Sequence, residues 1–211
     1  MKTIGNKKIY ETPEEVINPE HTMLIDWDLQ NGLVKNIFNK NEFVKNVTTI
    51  NNAARKAGIP VVYTKITPLP FKYMPSSSIY WYMKRFNITD TSKMPVFMAP
   101  GSEDAEIYND FTPEKEDYIL NKNTASVFMG TNFDNMMKAA GIKTVIFTGI
   151  ATEIGVESSV RDSVNHGYYT VVASDSCSSY DRGNHEAALK SMSAVSMVMK
   201  TADIINVLKK Y

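Results

Sequence analysis

The sequence predicts an α/β fold, a parallel sheet covered by helices on both faces. Two observations carry this. Short apolar runs rich in β-branched residues alternate with longer stretches whose apolar residues recur at helical spacing. Several of the longer stretches close on a glycine, the residue that most easily takes the left-handed conformation after a helix. Such alternation builds βαβ units, because parallel strands need a crossover between them, and it buries both faces of the sheet.

The elements follow in order. Residues 22–27 (TMLIDW) read as a buried strand ending at Asp28. Residues 39–57 carry Phe43, Val44, Val47, Ile50 and Ala54 on one helical face, with Gly58 just beyond. Residues 60–66 (PVVYTKI) form a second strand, and 118–120 begin a third. A helix over 131–140 closes at Gly141, and 144–148 (TVIFT) make a fourth strand. A helix over 155–165 ends near Gly167, and 168–173 give a fifth strand. A helix over 183–192, a short strand over 194–199 and a helix over 202–209 complete the chain.

The whole of 1–211 reads as one domain, with 67–112 standing apart. That excursion shows no clear strand and is rich in Pro, Ser and aromatic residues, including Tyr80, Trp81 and Tyr82 ahead of Arg85. Long irregular excursions usually form pocket walls or lids. Here a pocket wall or a subunit interface is expected.

Composition narrows the function classes. Lys plus Arg and Asp plus Glu are 23 each, which gives no support for nucleic acid or a membrane surface as partner. No apolar run approaches the ~20 residues a membrane span needs. The polar N-terminus lacks the apolar segment of a signal peptide. With one cysteine, Cys177, no internal disulfide can form. A cytoplasmic protein is expected. The histidines are His21, His166 and His185, and none sits at metal-ligand spacing. No metal and no cofactor are expected.

In parallel α/β folds ligands bind beyond the carboxyl ends of the strands. Those positions hold Asp28, Lys65, Lys122, the 149–155 loop and Asp175. Asp28 could act as a general acid or base, or merely cap the next turn. Lys122 could hold a carboxylate charged, or be a solvated strand end. The loop before the 155–165 helix could present backbone N–H groups to an anion, or be an ordinary turn. Arg85 could grip a carboxylate with two donors, or lie on the surface.

Together these segments resemble the isochorismatase-like (cysteine hydrolase) superfamily. The first signature is Asp28-Leu29-Gln30-Asn31, at the end of a strand. The second is Lys122 with Ser126, Phe128, Gly130 and Thr131. The third is Gly149-Ile150-Ala151-Thr152-Glu153-Ile154-Gly155-Val156, which matches except that Gly155 stands where most members keep a nucleophilic cysteine. A weaker fourth block spans 167–176. The resemblance covers the chain from about residue 22 onward. It implies a three-layer, Rossmann-like sandwich with a six-stranded, mostly parallel sheet. It also implies a cis peptide between Ile150 and Ala151, aiming the N–H groups of Ala151 and Gly155 at a substrate. Asp28 and Lys122 would be catalytic, with Gly155 at the nucleophile's position. Gln30, Tyr80, Tyr82, Arg85, Phe128 and Thr152 would bind substrate. A homodimer or homotetramer is implied.

Gly155 offers no side chain for covalent catalysis. Cys177 lies more than twenty residues on and reads as a packed thiol. Isochorismatase itself lacks the cysteine: its Asp protonates an enol ether, and water captures the product. By resemblance the expected function is therefore hydrolysis of a small, anionic molecule with Asp28 as general acid or base. The alternatives are an inactive, ligand-binding or structural member, and an amidohydrolase whose cysteine was replaced at Gly155.

Overall fold

The computed structural model describes residues 1–90, 94 and 97–211. Its centre is a sheet of six parallel strands: β3 (Thr22–Trp27), β4 (Val61–Ile66), β5 (Tyr118–Lys122), β6 (Thr144–Ile150), β7 (Tyr169–Ser178) and β8 (Met197–Met199). Their spatial order is β5-β4-β3-β6-β7-β8. A hairpin the sequence did not announce, β1 (Lys2–Ile4) with β2 (Lys7–Ile9), precedes them.

The strand order explains where a site can form. From β3 the chain winds outward through β4 to β5, then returns to lay β6 on the other side of β3. The carboxyl ends of β3 and β6 thus flank the point where winding direction reverses, which leaves a crevice.

Two short helices, α1 (Pro13–Val16) and α2 (Asn31–Val34), stand before and after β3, and longer ones cover both faces. On one side α3 (Lys40–Lys56) packs Phe43, Val47, Ile50 and Ala54 against Leu24 and Val61, joined by Ile204 and Leu208 of α8 (Thr201–Leu208). On the other, α5 (Phe133–Ala139), α6 (Glu157–Asn165) and α7 (Arg182–Met192) bring Phe133, Met137, Val160 and Met192 against Met23, Ile25 and Val172. The two-residue period of a strand sorts β3 cleanly between these layers. Met23, Ile25 and Trp27 face α6, whereas Leu24 and Asp26 face α3.

Three expectations are corrected. The 67–112 excursion is not wholly irregular: Ser76–Arg85 forms a helix, α4, flanked by short 3-10 turns at Phe71–Tyr73, Glu103–Ala105 and Asn109–Phe111. Proline at its N-cap makes no side-chain cap bond, so the usual start signal is missing. The fifth strand of the sheet runs on to Ser178, which places Asp175 and Cys177 within it and not beyond its end. Between 151 and α6 a π-turn, Thr152–Val156, intervenes.

Candidate active site

Asp28 closes β3 with a positive φ of 51° and a fully buried side chain. Lys122, at the end of β5, crosses under β4 to reach it: Nζ lies 2.7 Å from Asp28 Oδ2. The other carboxyl oxygen accepts from Thr64 Oγ1 at 2.6 Å, and Thr64 in turn accepts from the Asp28 N–H at 3.0 Å. Lys122 Nζ also donates to Thr124 O at 3.2 Å and sits 3.5 Å from the centre of the Trp27 ring. Burial acts on both partners. It pushes the Asp28 carboxyl above the ordinary range, with Lys122 and Thr64 pulling back. It pulls the Lys122 ammonium down against the attraction of Asp28.

Trp27 decides what stands beside this pair. A Cβ added at Gly155 would lie 1.7 Å from Trp27 Cη2 and 2.1 Å from Cζ2. The place a cysteine would occupy is therefore filled by the indole, whose Nε1 donates to Ser159 Oγ at 3.0 Å. Glycine at 149 is needed for the same residue: its φ is 118°, and a Cβ there would come within 2.1 Å of Trp27 O.

The Ile150–Ala151 peptide bond is cis. The N–H of Gly155, expected to face a ligand, instead donates to Ala151 O at 3.1 Å, along with those of Ile154 and Val156. A π-turn folds its own donors back on the preceding carbonyl.

A cavity of about 370 Å³ opens over the pair. Trp27, Asp28, Ile150 and Ala151 line its floor, and Tyr82, Arg85, Phe86, Phe97 and Tyr180 contribute from the rim and walls. Arg85 lies 5.5 Å over the Tyr180 ring and has no ion-pair partner among the described residues. Of the residues expected to act together, Asp28, Ala151, Tyr82 and Arg85 meet here, with Lys122 directly behind Asp28.

Others are placed elsewhere. The Gln30 amide is occupied by backbone: Oε1 accepts from Ile66 N at 2.7 Å, and Nε2 donates to Ile66 O and Ala105 O. It pins the excursion to β4 without lining the cavity. Thr152 Oγ1 donates to Ser178 O and meets His185 Nδ1 at 2.8 Å, on the far side of the loop. Phe128 stacks on His166 with ring centres 4.8 Å apart. Tyr80 is exposed and packs against Trp81. Residues that the motifs did not flag, Trp27, Thr64, Ser159 and Tyr180, shape the site instead. Only Trp27, next to the motif Asp, offered a signal: its bulk opposite a glycine.

Comparison with known proteins bears on the family and the fold. The isochorismatase domain matches residues 22–203. A ureidoacrylate amidohydrolase RutB from Acinetobacter baylyi is 29% identical over 206 residues, covering 89% of this chain and 83% of that protein. The RutB of Pseudomonas syringae pv. syringae is 28% identical over 175 residues, covering 75% and 71%. Among solved structures, a cysteine hydrolase from Pseudomonas syringae pv. phaseolicola superposes with a TM-score of 0.80 at 21% identity, covering 97% of this chain and 98% of that one. An isochorismatase family protein from Desulfovibrio vulgaris gives 0.75 at 20%, covering 89% and 98%. With the domain matched over most of its length and the fold shared throughout, the chain belongs to the isochorismatase family of hydrolases.

Proposed function

We propose that this chain hydrolyses a small anionic molecule by acid–base chemistry at Asp28, with no covalent intermediate at position 155. The observation that supports this best is the floor of the cavity. A fully buried carboxyl is paired with Lys122, beside a glycine whose side-chain room an indole fills. Burial raises the Asp28 carboxyl, the direction a general acid needs, while Lys122 and Thr64 pull the other way. For an enol ether, Asp28 would protonate the vinyl carbon. Water would add to the resulting oxocarbenium carbon and return a proton to Asp28. The hemiketal would then part into a carbonyl compound and an alcohol. Arg85, without an ion-pair partner among the described residues, lines this largely apolar cavity and would take the substrate's carboxylate through two parallel hydrogen bonds.

Two other readings have an observation each. Both Asp28 oxygens already accept hydrogen bonds, which favours a ligand-binding member without turnover. Similarity to RutB favours an amide substrate such as ureidoacrylate, with water, not a thiol, as nucleophile.

The test is hydrolysis of simple enol ethers, isochorismate, ureidoacrylate, N-carbamoyl amino acids and nicotinamide by native protein and Asp28→Asn. Enol-ether turnover that falls about 100-fold or more in the variant is the expected result. The same loss on ureidoacrylate would keep Asp28 and change the substrate. Binding with no turnover of any compound would move the assignment to the ligand-binding reading.

A further inference from the structure

Trp27 is gripped at every part of its side chain and backbone. Its Nε1 donates to Ser159 Oγ at 3.0 Å, and the same oxygen accepts from the Val127 N–H at 3.1 Å. Its carbonyl fits only because residue 149 has no Cβ, and its ring edge only because residue 155 has none. The Lys122 ammonium rests on its ring face at 3.5 Å, a close cation–π contact between buried side chains. Lys122 does not line the cavity, whereas Trp27 and Asp28, the two side chains its ammonium touches, both do.

We infer that Trp27 is the positioning residue of this site: its indole fills the room beside Gly155 and seats the Lys122 ammonium on Asp28, so the sizes of residues 27 and 155 are coupled. The bearing on turnover rests on the reading of Asp28 as the acid. The coupling itself stands on geometry alone. Without the indole, a side chain at 155 would face the Lys122 ammonium directly. A thiol there would be drawn toward thiolate by the neighbouring cation.

The experiment compares native protein with Gly155→Cys, Trp27→Val and the Trp27→Val/Gly155→Cys double variant. Thermal midpoints are recorded, and alkylation of residue 155 by iodoacetamide is followed by mass spectrometry across pH. Cys177 stays silent in this assay, because it is fully buried and burial pushes its thiol up. Gly155→Cys alone is expected to lower the midpoint by about 5 °C or more, as overpacking does in a chain of this size. The double variant should recover most of that loss. Its thiol should alkylate about tenfold faster than a free cysteine below neutral pH, the signature of a depressed thiol. Recovery without that pH profile would place the Lys122 ammonium away from residue 155 and overturn the shared contact of indole, Gly155 and Lys122 on which the inference rests. A Gly155→Cys protein as stable as native, or losses that add in the double variant, would overturn the coupling. If cysteine proves too large, the same cycle with Gly155→Ala reads the coupling through the midpoints. No substrate enters these measurements, so they stand or fall separately from the hydrolysis panel.

Discussion

Two buried carboxylates, Asp26 and Asp28, stand two residues apart around the end of β3, in unlike surroundings. Asp26 faces α3 and accepts from neutral donors only, Asn51 Nδ2 at 2.6 Å and Thr148 Oγ1 at 2.7 Å. Arg55 acts on it only at a distance: it donates to the Tyr63 hydroxyl, which also accepts from Asn51 Nδ2. Asp28 has a cation in direct contact and a cavity in front of it. Burial raises both carboxyls, Asp26 to about 6. A buried acid alone therefore does not mark a site. What separates the two is an opening to solvent-sized space and a charge partner within hydrogen-bond reach.

The largest effect should come from breaking the charged side of this comparison. Lys122→Met strands Asp28 as a buried carboxylate and should cost about 3–5 kcal/mol in urea unfolding at neutral pH. The Asp28→Asn/Lys122→Met pair should cost markedly less, since no charge is left unmatched. Equal losses would mean that the pair is not a coupled unit.

The neutral side should show itself through pH. Because the folded-state value of Asp26 is raised, its stabilising contribution is complete below about pH 4 and is lost as pH rises through 6. Roughly 2–3 kcal/mol of unfolding free energy should disappear across that window. Asp26→Asn should flatten this part of the pH profile and be at least as stable as native protein at pH 7. A profile unchanged by Asp26→Asn would assign the slope to Asp28 instead.

The smallest effect concerns the two arginines. Arg85→Ala should raise KM for an anionic substrate about tenfold, near 1.4 kcal/mol, with kcat little changed. Arg55→Met, on the Asp26 side, should leave KM alone. A KM response to both would erase the distinction between a site and a structural network.

Much of the architecture was legible because β-branched runs and glycine stops punctuate the chain regularly. Asp28, Lys122 and the 149–155 loop were legible as strand-end positions, together with Lys65 and Asp175, and it was the family resemblance that singled them out as a set. The Trp27 plug was not, because a strand residue of this bulk reads as core until its neighbour across the sheet is known. Gln30 and Thr152 were misplaced for a related reason. Their motifs advertise polar groups, yet backbone and side-chain partners within the fold consume those groups. The final turn of the fifth strand, Asp175 to Ser178, was read as loop because its composition is polar. Its hydroxyls are paid for by partners such as Thr201 and Asn39, which lie far off in sequence.

The chain has two tryptophans, and they sit at opposite extremes: Trp27 is 3% exposed and Trp81 is 68% exposed. The sealed indole is expected to emit toward the blue and the wet one toward the red. Loosening of α4 would dim or shift only the red component, while disturbance at the cavity floor would touch the blue. The protein thus comes with two built-in optical gauges, one for the rim and one for the floor, readable in a single spectrum without a label.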